Sequence, residues 1–195
     1  MTTPTVAAVV LAAGGGRRYG MPKALVEYEG SLLVERAVRT ARGVCDPVLV
    51  VLGARAVDVW RQADLDGATV LANKDWETGM ASSLRTGLEG LRGWPGRIDA
   101  ALLLLVDMPG MTAAALRRVA AAAAPDALAV ATYDGVRGHP VLIGREHWAG
   151  VAETAIGDEG ARRYLAAHDV TEIDCTGLAD PTDLDEPPNA GTVAP

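Results

Sequence analysis

Leu11–Lys23 reads LAAGGGRRYGMPK and follows directly on the apolar run Val6–Val10. Three consecutive glycines, Gly14, Gly15 and Gly16, let the backbone turn tightly and come close to a ligand. Arg17, Arg18 and Lys23 place three cations in the same short segment, although the chain as a whole carries a net charge of −7. A glycine-rich turn at the end of a strand, with its N–H groups exposed and cations beside it, is a phosphate cradle. The stretch therefore predicts a nucleoside triphosphate site.

Two better-known phosphate loops fail on named positions. A P-loop counted from Gly15 finds Gly20 in place, but then Met21 and Pro22 where Lys and Ser or Thr are required. A dinucleotide fingerprint counted from Gly14 finds Gly16, but then Tyr19 in place of the third glycine. The acidic residue expected after the second strand is also missing, because Gly53, Ala54 and Arg55 follow Val48–Leu52.

Working outward, Val6–Ala12 is continuously apolar, as a strand buried on both faces of a parallel sheet is. Further strands are expected at Val48–Leu52, Thr69–Ala72, Ala100–Val106, Leu128–Tyr133, Val141–Ile143 and Val170–Ile173. Ser31 is placed to cap a helix running to about Arg42, and a short helix is expected over Arg55–Ala63. Met80, Leu84, Leu88 and Leu91 form one apolar stripe at helical spacing, which puts Gly79, Ser82 and Ser83 near a helix N-terminus, where anions are favoured. Read alone, that cluster is equally a simple cap. Thr112 caps an alanine-rich helix to Ala124, and Gly157–Arg162 opens a helix ending near His168. Strands alternate with helices throughout, so the fold class is α/β, a three-layer sandwich around a mainly parallel, Rossmann-like sheet.

Asp107 stands at the C-terminal end of the strongest strand, where open parallel sheets bind ligands. A lone Asp there can be a turn residue, but Thr112 already serves as the next helix cap. His139, in Gly135–Val141, can cap a strand, contact a substrate or act as a base. Asp158 reads as an N-cap or a site residue, and the acidic run through Asp180, Asp183 and Asp185 as a solvated tail or a ligand set.

Together these stretches resemble the nucleotidyltransferases of the MobA and MocA type, the molybdenum-cofactor guanylyl- and cytidylyltransferases. Leu11, Ala12, Ala13, Gly14, Arg18, Gly20, Pro22 and Lys23 match the signature L-A-A-G-x-x-x-R-x-G-x-P-K, with Gly16 and Tyr19 where the family usually has Ser and Met. Asn73, Trp76, Gly79, Ser82 and Ser83 match the cytidylyl branch, as do the segments around His139 and Asp158. The resemblance implies a nucleotide-diphospho-sugar transferase fold and a nucleotide held by Leu11–Gly16, Arg18, Lys23, Asn73, Gly79, Ser82 and Ser83. It also implies Mg²⁺ on Asp107 and Asp185, and an acceptor near Trp76, His139 and Asp158. Arg18, Lys23 and Asp107 carry the catalysis in this reading. Ala13 and the Trp76–Ser83 stretch favour CTP, a molybdopterin phosphate acceptor and a molybdenum hydroxylase client. Rivals are a guanylyltransferase, a transferase with another phosphorylated acceptor, a non-catalytic cofactor chaperone, and an oxidoreductase on the same fold.

Composition narrows the classes. The 195 residues suit one domain, expected over residues 1–189 with a disordered tail at Ala190–Pro195. Hydrophobic content of 49% with no Phe means a core of Ala, Val and Leu. The negative charge argues against nucleic acid and anionic membranes as partners. Cys45 and Cys175 have no metal-ligand spacing. Met1–Pro4 is too short for a leader and Val6–Ala13 lacks a basic one, so a cytoplasmic location is expected.

Overall fold

The computed structural model describes residues 3–185; the end of the expected domain, 186–189, and the expected tail at Ala190–Pro195 lie outside the described residues. Strand β1 (Val6–Ala12) is the hub of a seven-stranded sheet. It pairs in parallel with β4 (Val48–Leu52) on one side and β6 (Ala100–Leu105) on the other. β5 (Thr69–Ala72) extends the sheet beyond β4, again in parallel. Beyond β6 come β8 (Val136–Gly144), β7 (Leu128–Tyr133) and β9 (Thr171–Asp174), giving the order β5-β4-β1-β6-β8-β7-β9. β8 is the one antiparallel strand of this sheet, against both β6 and β7.

Alternation along β1 explains the layering. Ala8, Val10 and Ala12 pack with α1 (Leu33–Arg42), α2 (Ala56–Gln62) and α4 (Ala113–Ala120) through Val34, Val38, Val59, Leu116 and Val119. Ala7, Val9 and Leu11 pack with α3 (Met80–Arg92) and α5 (Trp148–Thr154) through Leu84, Leu88, Trp148 and Val151. Helix α6 (Arg162–Ala166) adds Tyr164 and Leu165 to that second layer. Each fully buried Val or Leu contributes roughly 1.5–3 kcal/mol.

Helix α3 sits unusually close to the sheet because Gly87 faces it. A Cβ at Gly87 would lie 2.5 Å from Val9 Cγ1. Gly87→Val is therefore expected to push the helix off β1 and cost about 1–3 kcal/mol, read as a lowered melting temperature.

Three local expectations are corrected. Ser31 does not cap α1. It pairs with Tyr28 in a two-stranded ribbon of β2 (Glu27–Tyr28) and β3 (Ser31–Leu32), and the Glu35 carboxylate accepts the Leu32 N–H instead (3.0 Å). The short strand expected at Val141–Ile143 starts five residues earlier. Asp134 and Gly135, both at positive φ, form the tight turn of a β7–β8 hairpin. The helix after Gly157 is only Arg162–Ala166, because Gly157 and Gly160 take positive φ in the loop before it. Thr112 does cap its helix, accepting the Ala115 N–H at 3.3 Å, but that helix ends at Ala120.

Candidate functional site

The C-terminal ends of β1, β4 and β6 lie side by side, and the chain reverses direction of spread at β1. This is the switch point at which open α/β sheets form a ligand crevice. The Ala13 carbonyl still accepts the Ala54 N–H (2.9 Å), anchoring the base of the glycine loop to the strand beside it. Gly16 then takes φ +62°, and a Cβ there would fall 1.8 Å from the Met21 carbonyl oxygen, so only glycine fits. The Gly20 N–H closes the turn on the Gly16 carbonyl at 2.8 Å. Gly14 has nothing within 4 Å of a would-be Cβ and stays open to the crevice. Among the described residues, the N–H groups of Gly14, Gly15 and Gly16 donate to no protein acceptor.

Lys23 follows Pro22 into a single 3-10 turn, which aims its side chain across the crevice. Its ammonium lies 2.8 Å from Asp107 Oδ2 and 2.7 Å from Asp185 Oδ1, and Arg18 Nη1 meets Asp185 Oδ2 at 2.9 Å. Burial works against the charge on Lys23, but hydrogen bonds to Asp107 and Asp185 outweigh it and hold its pKa above the ordinary lysine value. The hydrogen bond from Lys23 keeps Asp185 below the usual carboxylate range. Asp185 arrives on a strap laid over the end of β6. The Leu184 N–H donates to the Asp107 carbonyl (2.8 Å), and the Asp180 N–H to the Gly110 carbonyl (3.2 Å). The register of the acidic run is thereby fixed. Asp180 accepts its own Thr182 N–H (2.9 Å), Asp183 faces a neighbouring cleft, and Asp185 meets Lys23.

Two carboxylates, 78 residues apart in sequence, thus converge on one cationic point. Among the described residues no group of three or more His, Cys, Asp or Glu side chains converges. A divalent cation at Asp107 and Asp185 would complete its shell from phosphate oxygens and water, as Mg²⁺ commonly does beside phosphates. Two carboxylates beside a phosphate site are a donor set that would suit such an ion, once the Lys23 ammonium that now bridges them turned to a phosphate.

Other expected nucleotide residues are divided between lining the crevice and supporting it. Ser83 and Gly79 line a cleft of about 490 Å³ with Gly14–Gly16, Arg18, Lys23, Trp76 and Asp107. Asn73 and Ser82 are buried behind it. Asn73 Nδ2 donates to the hydroxyls of Ser82 (2.8 Å) and Ser83 (3.0 Å), and Asn73 Oδ1 accepts the Asp75 N–H (2.9 Å). They hold the first turn of α3 rather than facing the cleft. Asn73→Ala would leave two buried hydroxyls short of a partner, and is expected to cost about 1–3 kcal/mol in a denaturant titration. Trp76 packs between the two neighbouring loops. A Cβ on Gly15 would meet Trp76 Cζ3 at 3.0 Å, and one on Gly53 would meet Trp76 Cβ at 2.5 Å. It is a wall of this cleft and does not reach the second one. Asp158 is an N-cap, but of a helix far away in sequence: its Oδ1 accepts the Met80 N–H at the start of α3 (3.1 Å).

A second cleft of about 680 Å³ adjoins the first, sharing Leu11, Met80, Leu105 and Asp158. Its floor is apolar, from Leu84, Leu103, Val130 and Val141, and His139, Tyr133 and Arg162 stand in its wall. The Tyr133 hydroxyl donates to the His139 carbonyl at 2.9 Å, fixing the segment. His139 is partly open to the cleft by surface area, yet its ring is enclosed enough that burial pushes its pKa down to about 4. Asp107 opposes that shift and Arg162 adds to it. The imidazole is therefore neutral at physiological pH. The unfolded chain takes up this proton near the ordinary value of about 6.5 and the folded chain only near 4, so stability falls as pH drops between them. His139→Gln is expected to flatten that part of a pH–stability profile. Tyr133 belongs to no motif, and only the β7–β8 hairpin brings it to the cleft. Met80, Asp183 and Arg162 stand in the helical stripe, the acidic run and the Gly157–Arg162 segment, and the start of α3, the strap and the start of α6 bring them to the same wall.

Residues 8–172 match the family model described as the MobA-like NTP transferase domain. The chain belongs to that family. This MobA-like protein is 36% identical over 200 residues to nicotine blue oxidoreductase of Paenarthrobacter nicotinovorans, covering 93% of each chain. It is 22% identical over 138 residues to the molybdenum cofactor cytidylyltransferase of Escherichia coli K12, covering 70% of this chain and 69% of that one. Its structure resembles that of Rv0371c from Mycobacterium tuberculosis H37Rv, with a TM-score of 0.79, 29% identity and 95% of each chain covered. Rv0371c in complex with manganese also matches, at a TM-score of 0.75, 29% identity and 93% of each chain. Structural neighbours of lower identity are nucleotidyltransferases that share the α/β fold, among them one from Methanothermobacter at a TM-score of 0.74 and 21% identity. No helix among the described residues is long and apolar enough to cross a membrane.

Proposed function

We propose that this MobA-like protein transfers a nucleoside monophosphate, with CMP favoured, from a triphosphate to a phosphate-bearing acceptor, for which molybdopterin is the leading candidate. The observation that carries the reading is the convergence of Lys23, Asp107 and Asp185 at the mouth of the glycine loop, beside a second, larger cleft for an acceptor. An acceptor phosphate oxygen attacks the α-phosphorus, the bond to the β-phosphate oxygen breaks, and pyrophosphate leaves. The nucleophile is already an anion at neutral pH, so no general base is required. The neutral imidazole of His139 is then free to hydrogen-bond to the acceptor.

The barrier is the approach of two anions, and cations lower it. Lys23 and Arg18, with the N–H groups of Gly14–Gly16, hold the β- and γ-phosphates and stabilise the leaving charge. Arg suits a two-pronged phosphate grip and Lys a point contact. Asp107 and Asp185 would hold Mg²⁺, which would supply charge neutralisation at the phosphates. The manganese complex of the mycobacterial relative supports a divalent cation in this fold.

A second reading, an oxidoreductase, is favoured by one observation, the 36% identity to nicotine blue oxidoreductase over nearly the whole chain. The absent dinucleotide fingerprint, with Tyr19 in place of its third glycine, counts against it. The two are separated by product. Protein incubated with Mg²⁺, molybdopterin and each of the four triphosphates in turn should give a nucleotidylated acceptor by mass spectrometry, with CTP the best donor. A product seen with GTP alone would move the protein to guanylyl transfer. In a parallel incubation with reduced nicotinamide and nicotine blue as the two-electron acceptor, loss of the reduced nicotinamide matched by reduction of the dye, with no adduct from any triphosphate, would establish the second reading.

A further inference from the structure

At the opposite edge of the sheet from Asp107, a separate cavity of about 290 Å³ opens where α3 ends and β6 begins. Three arginines stand around it: Arg92 at the last residue of α3, Arg97 just before β6, and Arg145 just after β8. Arg97 Nε is paired with Asp99 at 2.7 Å. Arg92 and Arg145 form no ion pair among the described residues, although Arg145 is near enough to Asp99 to help hold its pKa below the usual carboxylate range, after the Thr5 N–H and Arg97. Trp94 and Trp148 complete the wall. The Trp148 indole N–H is spent on the Ile143 carbonyl (2.9 Å), whereas that of Trp94 has no acceptor among the described residues.

The polar side chains lining this cavity are therefore all donors: three guanidiniums and one indole N–H. No lining side chain accepts a hydrogen bond from a ligand. The three arginines are exposed, and Arg97 already donates to Asp99, so water meets their remaining N–H groups; an oxyanion with several acceptor oxygens can replace that water, and a cationic guest cannot. The local excess of positive charge in a chain of net −7 points the same way. Guanidinium planes and the indole face of Trp94 also suit a flat ring attached to the anion.

We propose that this cavity is a second anion site, taking a phosphorylated small molecule: pyrophosphate itself or a nucleoside monophosphate. At 290 Å³ it is smaller than the 490 Å³ crevice and suits a ligand shorter than a triphosphate. Two elements join it to the crevice. α3 ends at Arg92 and begins at the Gly79–Ser83 turn, and β6 runs from this cavity to Asp107.

The test uses nitrogen-15-labelled full-length protein and follows the indole N–H signals, with Trp94 assigned through Trp94→Phe. Sodium pyrophosphate and CMP are titrated separately, without divalent cation. The expected result is a saturable shift of the Trp94 signal, weakened at least about tenfold in an Arg92→Glu/Arg145→Glu double variant whose melting temperature is that of wild type. Saturation with pyrophosphate identifies inorganic anion as sufficient, and saturation with CMP alone identifies a nucleotide site. An unmoved Trp94 signal, an equal shift in the double variant, or the same shift with sodium chloride at matched ionic strength would overturn the proposal. Trp76 reports the crevice independently, so a shift there without one at Trp94 leaves the transferase reading intact and removes the second site.

Discussion

Lys23→Met is expected to lower the rate of pyrophosphate release by roughly 10²–10³-fold at saturating CTP, the loss typical of removing one group that stabilises developing charge. The variant also leaves Asp107 and Asp185 facing each other without the ammonium that sits 2.8 and 2.7 Å from them. Their mutual repulsion should lower the melting temperature in metal-free buffer, and added Mg²⁺ should restore much of that loss without restoring the rate. The split matters, because a purely structural lysine would show recovery of both. Melting curves with and without Mg²⁺, run beside a steady-state pyrophosphate assay, separate the two roles. A rate within tenfold of wild type would reduce Lys23 to an ion-pair residue.

Gly16→Ala is expected to abolish measurable CTP binding at concentrations that saturate the wild type. The residue sits at φ +62°, where a side chain costs roughly 1–2 kcal/mol. The larger penalty is steric. The new methyl would land 1.8 Å from the Met21 carbonyl oxygen, and backbone cannot yield as a flexible side chain can. Relief requires moving Met21 and Pro22, and Lys23 moves with them. Gly14→Ala is the matched control. Its methyl meets nothing within 4 Å in the protein, so it should leave the fold unchanged and weaken only the close approach of phosphate. Calorimetric titration of CTP into both variants checks the contrast. Wild-type affinity in Gly16→Ala would mean that the loop does not carry the phosphates.

The contrast also marks what the sequence makes legible. The buried parallel strands were readable because both faces of Val6–Ala12 and Ala100–Leu105 are apolar, and a strand buried on two faces has no other pattern to show. The glycine loop was readable because its backbone demands leave a compositional trace. The pairing of Lys23 with Asp107 was not, since a span of 84 residues separates them and only the parallel register of β1 and β6 brings their loops together. Asp185 is named by the family resemblance and not by its residue type. Three acids within six residues are equivalent on paper, and the choice is made by the backbone hydrogen bond from Leu184 to Asp107.

Several residues take a local role that their type alone does not assign. Ser31 resembles a helix cap, but a two-residue ribbon claims it first. Asn73 and Ser82 sit where a nucleotide contact would be expected, yet their hydrogen-bonding capacity is taken up by each other and by the turn they brace. Asp158 precedes a helix of its own, yet the N-terminus it caps is 78 residues away. In each case the residue type was suited to the role, and the partner was supplied by tertiary structure.

The proposed function stands on one step, cleavage of a triphosphate between its α- and β-phosphates in the crevice formed by Gly14–Lys23 and Asp107. The most direct test follows pyrophosphate release from CTP with Mg²⁺ and molybdopterin, for wild type and Asp107→Ala in parallel. Acceptor-dependent release is expected from the wild type, reduced at least about a hundredfold in the folded Asp107→Ala variant. Release that is equal in the two proteins, or absent from the wild type with every triphosphate, would contradict it.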